Sequence, residues 1–353
     1  MMAKILLVVC VFVSSVAQAQ VTTTPATEMP RAFPDTKIAG PAYTRNDAGD
    51  VVERRDTRVR VIGGNQVKRG TAPYQAQIYS NFTGYSPAER GGREMWEMQH
   101  RCGGTLIAPN WVLTAAHCIT QEQVDRDYRV RIGATNLRVG DGPSFRIDRM
   151  VRHADYKDDT HLQDIALVHF VGDARGLKTV DLHDDKDGVL LDHPRYNARR
   201  GVVQGRQVLR RVDATRTESE FQTSFALGWG KTLPGPEGRP SVVLMRVPLD
   251  VMYDPECRRT EYYRLRTGPT TVCAARIGKD TCTGDSGGPL MLTVDRRKPD
   301  DVESARTTTQ IGIVSWGKGC AQEGSPGVYT RITAYRDWIR RAMLAPVGVN
   351  ELR

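Results

Sequence analysis

From residue 61 onward, short apolar runs alternate with turn-forming residues. Thr105–Leu106–Ile107, Trp111–Val112–Leu113, Ile165–Ala166–Leu167–Val168 and Ile311–Gly312–Ile313–Val314 lie among Gly, Pro, Asn and Asp. Runs of this length predict strands, and many short strands predict an all-β barrel or sandwich. One stretch departs from this at the C-terminal end. There Ile332, Tyr335, Trp338, Ile339 and Met343 recur at helical spacing between Arg336, Asp337, Arg340 and Arg341, predicting an α-helix that caps the fold. Three polar, charged and poorly periodic stretches, about 81–100, 173–222 and 293–309, are expected to be surface insertions.

The first residues follow another pattern. Lys4, the apolar run Ile5–Val13 and the small and polar residues ending at Ala19 predict a signal peptide over 1–19, cleaved before Gln20. A membrane anchor needs about 20 apolar residues, far more than this run, so no membrane anchor is expected. Residues 20–60 are rich in Thr, Asp and Arg and have almost no apolar periodicity, which predicts a flexible pro-segment.

Composition then limits the class. A chain of 353 residues with 39% hydrophobic content can bury a sizeable core. Cys10 leaves with the signal, and Cys102, Cys118, Cys257, Cys273, Cys282 and Cys320 remain. An even count in an exported chain predicts three disulfides, and the lack of any Cys-x-x-Cys pair argues against structural zinc. The formal charge of +9 is spread along the chain with no basic stripe or recognised module, so no nucleic-acid partner is expected. Asn81–Phe82–Thr83 is an N-glycosylation sequon.

Three blocks carry chemistry. Gly284–Asp285–Ser286–Gly287–Gly288–Pro289 puts a hydroxyl among glycines, which allow a sharp turn and close approach by a carbonyl. A serine hydroxyl becomes a useful nucleophile once a base takes its proton and N–H groups receive the oxyanion. Thr114–Ala115–Ala116–His117–Cys118 offers an imidazole flanked by small residues. Asp164 stands at the head of an apolar strand, where a carboxylate is costly unless it is hydrogen-bonded. Each block alone fits a plain turn, a core histidine or a strand-edge carboxylate.

Taken in the order His, Asp, Ser, the blocks resemble the chymotrypsin family and, within it, trypsin. Val61–Ile62–Gly63–Gly64, Gly228–Trp229–Gly230 and Ser315–Trp316–Gly317 extend the resemblance over residues 61–353 apart from the insertions. The resemblance implies two packed antiparallel six-stranded Greek-key barrels with a C-terminal helix. The first would span about 61–175 and the second about 223–353, with the active site between them. It implies catalytic roles for His117, Asp164 and Ser286, and an oxyanion hole at the N–H groups of Gly284 and Ser286.

The same resemblance places Asp280 at the base of a primary pocket walled by Ser315, Trp316, Gly317 and Gly327, so cleavage is expected after Arg or Lys. It implies activation by a cut after Arg60, freeing the amino group of Val61 to pair with Asp285. It pairs Cys102 with Cys118, Cys257 with Cys273 and Cys282 with Cys320, and leaves Ser224 and Leu292 where relatives carry a further bridge. No metal and no cofactor are expected, and Ala134 stands where a calcium-binding relative would need a carboxylate. The expected partners are protein or peptide substrates and protein protease inhibitors. The expected product is a monomer exported to the periplasm or the extracellular space. The alternative is a catalytically inactive trypsin-fold binding protein.

Overall fold

The computed structural model describes residues 43–45, 51–53, 64–184, 200–203, 206–210, 219–252, 254–297 and 305–353. The chain divides into two compact units, Met1–Asp56 and Thr57–Arg353. In the first, β1 (Tyr43–Arg45) pairs antiparallel with β2 (Val51–Glu53), so the stretch expected to be a flexible pro-segment contains a short hairpin.

The second unit contains two closed barrels. One is built from β4 (Gln75–Ser80), β5 (His100–Ala108), β6 (Trp111–Thr114), β7 (Tyr128–Ile132), β8 (Ser144–His153) and β9 (Ala166–Val171), and closes through the β8–β9 pairing. The other uses β12 (Ser219–Gly228), β13 (Met245–Val251), β14 (Thr271–Ala275), β15 (Pro289–Arg297), β16 (Ala305–Trp316) and β17 (Gly327–Arg331), and closes through β12–β13. Both are antiparallel and six-stranded, because closure removes the exposed edges that short apolar strands would otherwise present. Just before the first barrel, β3 (Asn65–Gln66) pairs with β13 of the second.

The apolar runs supply the cores. Ile78, Leu106, Val112, Leu113, Ile165, Leu167 and Phe170 fill the first barrel, and Val272, Leu290, Leu292, Ile311 and Tyr329 fill the second. Each wholly buried side chain of this size contributes about 1.5–3 kcal/mol. A third cluster joins the barrels, where Leu137 and Val180 meet Phe225, Leu227, Trp229 and Met291. Across the same interface Thr105 donates its hydroxyl to the Gln310 side chain at 2.7 Å.

The terminal helix, Arg336–Leu344, buries Trp338, Ile339 and Ala342 against the first barrel, with Ile332 and Tyr335 buried in the turn before it. Trp338 Nε1 donates to the Leu352 carbonyl at 2.7 Å, fastening β18 (Glu351–Leu352) beside β8. No helix among the described residues is long and apolar enough to cross a membrane.

The stretches expected to be surface insertions contain regular structure. Residues 81–100 hold two short helices, Pro87–Arg90 with a Ser86–Glu89 capping box and Met95–Gln99. Parts of 173–222 and 293–309 are strand: β10 (Arg200–Val203) pairs with β11 (Arg206–Arg210), β11 with β12, and Ser219–Thr223 with Thr293–Arg297. These ladders extend the second barrel's sheet by backbone pairing, which needs no particular side-chain pattern. The six cysteines form Cys102–Cys118, Cys257–Cys273 and Cys282–Cys320.

Candidate active site

His117 lies on the 3-10 turn Ala116–Cys118 directly after β6, tied by Cys118 to Cys102 on β5. Asp164 immediately precedes Ile165 and β9, the neighbour of β6 in the barrel. Barrel closure therefore brings together residues far apart in the chain. Asp164 Oδ1 accepts the His117 backbone N–H at 3.0 Å, and Oδ2 lies 2.8 Å from His117 Nδ1. Ser315 Oγ donates to Asp164 Oδ2, and Thr330 Oγ1 to its carbonyl at 2.7 Å, so the second barrel braces the residue as well.

Asp164 is wholly buried. Burial alone pushes a carboxyl up, but the hydrogen bonds from His117 and Ser315 outweigh it and hold Asp164 below the usual carboxylate range. For His117, burial pushes the imidazole down, while the Asp164 hydrogen bond and charge, helped by Asp158, leave it above its ordinary value. The loop entering Asp164 is strained: His161 and Gln163 have φ of 53° and 54°, in the left-handed region.

Ser286 sits on the turn entering β15. Gly287, with φ of 77°, has no room for a side chain, since a Cβ there would stand 2.2 Å from Thr114 Oγ1 and 3.1 Å from Cys118 Sγ. The serine turn is thus pressed against the segment carrying His117. The Gly103 N–H donates to the Ser286 carbonyl at 2.7 Å, and the Gly287 N–H to the Val314 carbonyl at 2.8 Å. Among the described residues no hydrogen bond joins Ser286 Oγ to His117, whose Nε2 lies 3.7 Å from Cys118 Sγ. Of the predicted trio, His117 and Asp164 are in direct contact and Ser286 lies on the abutting turn.

Two further groups set the backbone before Ser286. His100 Nε2 is 2.9 Å from the Gly284 carbonyl. A carbonyl only accepts, so Nε2 carries the proton, and Nδ1 takes the Gln77 amide at 3.4 Å. Burial pushes His100 down to about 4, so the ring is neutral. Asp285 is buried, with Oδ1 accepting the Gly230 N–H at 2.7 Å and Oδ2 the Cys282 N–H at 2.8 Å. Burial pushes its carboxyl up to about 6 despite these donors, with the charge of Asp280 adding to the rise. Arg60 and Val61, the predicted activation residues, lie outside the described residues.

Asp280 is also buried. Its Oδ2 accepts the Ala321 N–H at 2.8 Å, while Oδ1 is buried without a hydrogen-bond partner. Burial pushes this carboxyl up to about 6. A Cβ on Gly327 would stand 3.1 Å from Asp280 Oδ1, so the absent side chain keeps the space above the carboxylate clear. Trp316 stacks on Tyr263 with ring centroids 5.4 Å apart. A cavity of about 690 Å³ also reaches Asp280, from the side of Asp250, Glu256 and Glu323; Ser315, Trp316, Gly317 and Gly327 do not line it.

Residues 61–339 match the family model described as Trypsin. The chain belongs to the trypsin family. It is 30% identical to a tryptase of Mus musculus over 291 residues, covering 80% of this chain and 88% of that protein. It is 31% identical to a urokinase-type plasminogen activator of Gallus gallus over 299 residues, covering 81% of this chain but 58% of that longer protein. Its relatives make it a serine protease of the trypsin type at the level of family.

Within this trypsin-family frame, several residues around the site were not visible as functional from sequence. His100 and Thr330 have ordinary strand contexts, and Ser315 was expected as pocket wall rather than as a donor to Asp164. His161, whose ring meets that of His117 edge-on at 5.5 Å, gave no sequence signal at all. Gly228 and Gly230 were legible as a motif without their reason: a Cβ on either would strike the Asp285 carboxylate, at 2.0 and 2.2 Å.

Proposed function

We propose that this protein is a secreted serine endopeptidase that hydrolyses peptide bonds after Arg or Lys and is made as a zymogen activated by cleavage after Arg60. The observation that carries the specificity is Asp280, a buried carboxylate with one oxygen unpartnered beside a glycine. An unpaired buried charge is costly, and a guanidinium or ammonium entering from substrate would relieve it. Ser315, Trp316, Gly317 and Gly327 are assigned to the wall of that pocket.

In the proposed cycle His117 Nε2 removes the Ser286 Oγ proton as Oγ attacks the scissile carbonyl. The oxyanion is received by the N–H groups of Gly284 and Ser286; loss of one such donor costs about 2.7–4 kcal/mol in a comparable hole. The imidazolium, stabilised by Asp164, passes its proton to the leaving amine, and water then releases the acyl group by the reverse proton path. Neither step calls for a metal or cofactor.

Activation follows from Asp285. Its carboxylate is buried on backbone donors alone in the described residues, and the freed amino group of Val61 is the cation proposed to pair with it. The apolar leader and three disulfides support export, and protein substrates and protein protease inhibitors are the proposed partners of a monomer.

Cleavage of a peptide library by the mature form tests the assignment. Cutting confined to Arg and Lys, lost in Asp280→Ser, is the expected result; preferred cutting after Phe or Leu overturns it. An Arg60→Gln precursor is expected to stay inactive, and full activity in that variant removes the activation step. Failure of Ser286 to react with a serine-directed phosphonate would instead point to an inactive binding protein.

A further inference from the structure

Among the described residues, two cations beside the proposed pocket wall have no carboxylate partner. Trp316 stacks on Tyr263 and meets the ring of Tyr262 edge-on, with centroids 5.8 Å apart. The guanidinium carbon of Arg266 lies 4.3 Å, and Lys318 Nζ 5.3 Å, from the centroid of that same Tyr262 ring. Arg266 also donates to the Tyr262 carbonyl at 3.3 Å, which holds the guanidinium over the ring. Neither cation forms an ion pair with a described residue, and none of these residues engages the Tyr262 hydroxyl.

The sequence around them deepens the charge. Residues 258–266 carry four arginines against one glutamate, Glu261, which stands 4.0 Å from Arg264. The disulfide Cys257–Cys273 closes this segment into a loop. Within it the short helix Glu261–Arg264 buries Tyr263, whose hydroxyl donates to the Pro326 carbonyl at 3.1 Å. Fixing Tyr263 inward leaves its neighbour Tyr262 exposed, as is Leu265. The result is an aromatic platform with excess positive charge at the outer side of Trp316.

We propose that Arg266, Lys318 and Tyr262 select substrates that carry an acidic residue shortly before the cleaved Arg or Lys. The inference rests on the protease reading above and on Trp316 as pocket wall. The side of the scissile bond follows from the chemistry. The basic residue in the pocket is the last of the acyl part, so the residues preceding it lie nearest the wall that Trp316 forms. The leaving part lies instead at His117, which protonates its amine.

A substrate carboxylate at the platform accepts charge-assisted hydrogen bonds from the guanidinium and the ammonium, and a basic residue in its place meets two like charges. Lys318 is exposed and Arg266 half-buried, so the attraction is of the solvent-facing kind, worth a few-fold in affinity and screened by salt. It acts far from the reacting bond and equally on bound substrate and transition state. The preference therefore falls on KM and leaves kcat alone.

The mature enzyme is assayed on peptides with a single cleavable Arg, in which Asp or its neutral isostere Asn is placed in turn at each position shortly before it. Expected at one position is a kcat/KM ratio of Asp over Asn of at least about threefold at low salt, carried by KM and lost near 1 M sodium chloride. Lys318→Glu and Arg266→Glu should each bring the ratio to one or below, while Lys318→Arg and Arg340→Glu, the latter on the terminal helix, should keep it. Because the ratio is taken within each variant, a general loss of activity cancels. A ratio near one at every position, or one unchanged in both glutamate variants, overturns the platform and leaves the protease reading intact. The same peptides are titrated into the mature Ser286→Ala protein by fluorescence anisotropy, which reads the preference without turnover; equal binding of Asp and Asn peptides also overturns it. Tighter binding of the Asp peptide that Lys318→Glu abolishes, in a parent that cuts no peptide, would refute the protease reading and leave the platform standing.

Discussion

The Asp285 carboxylate occupies the space that a side chain on Gly230 would need: a Cβ there would stand 2.2 Å from Asp285 Oδ2 and 2.4 Å from its Cγ. The two residues also share a 2.7 Å hydrogen bond from the Gly230 N–H. Gly230→Ala should therefore expel the carboxylate and disorganise the turn that carries Gly284 and Ser286. The expected outcome is a loss of kcat/KM of at least about a hundredfold, the scale of one lost oxyanion donor, with far-UV circular dichroism unchanged. Activity near the parent level would refute the role given to Asp285.

The specificity proposed for Asp280 carries a pH dependence of binding. Its carboxyl is pushed up to about 6 by burial, so the anion proposed to attract Arg or Lys is lost as pH falls through about 6. KM for an Arg peptide should rise below that pH, independently of kcat. Stability moves the opposite way. The folded pKa exceeds the unfolded one, so the folded state binds more protons and the Asp280 contribution to stability falls as pH rises from about 4 to 6. In a Ser286→Ala background, Asp280→Asn should raise Tm at pH 7.5 by roughly 2–4 °C, and no change or a fall would show that the buried charge is not a burden.

His117 is held above its ordinary value even though burial opposes this, chiefly by the Asp164 hydrogen bond and charge. The acid limb of kcat/KM should lie above the free-imidazole value of about 6.5. Asp164→Asn should lower kcat by about 10⁴-fold and shift that limb to lower pH, because the raising contribution is gone. An unshifted limb would mean that Asp164 does not set the imidazole.

His100 serves Gly284 through a neutral ring whose Nε2–H is donated at 2.9 Å. His100→Phe keeps much of the shape and removes the donor, so the Gly284 peptide loses its anchor. A fall in kcat of about tenfold with little change in KM is expected, on the scale of one neutral hydrogen bond. Its folded pKa of about 4 lies below the unfolded value, so the unfolded state binds more protons between about 4 and 6.5, and stability is lost as pH falls through that window. Denaturant titrations at pH 7.5 and 5 should show a smaller acid loss in His100→Phe than in the parent; equal losses would contradict the buried neutral assignment.

The strands, the terminal helix and the three chemistry-bearing blocks were legible because each is a local statement. Ile165–Val168 is apolar because both of its faces are enclosed, and Ile332–Met343 keeps helical spacing because one face meets the first barrel. The Gly-rich block around Ser286 reads locally as a turn, although the contacts that leave Gly287 no room for a side chain come from Thr114, Gly103 and Cys118, far away in the chain. What covers Asp164 could not be read this way. Its donors, Ser315 and Thr330, stand 151 and 166 positions away and reach it only when two barrels close and pack. The same closure turns His161 onto His117, seats His100 under Gly284 and leaves one Asp280 oxygen unpartnered. Parts of the insertions became strand by pairing their backbones with the second barrel's sheet, a partnership that the side-chain pattern does not record. Periodicity records which face of an element is buried; it carries no record of which distant residue arrives there, because that is fixed by the closing of the sheets and not by any neighbour in the chain.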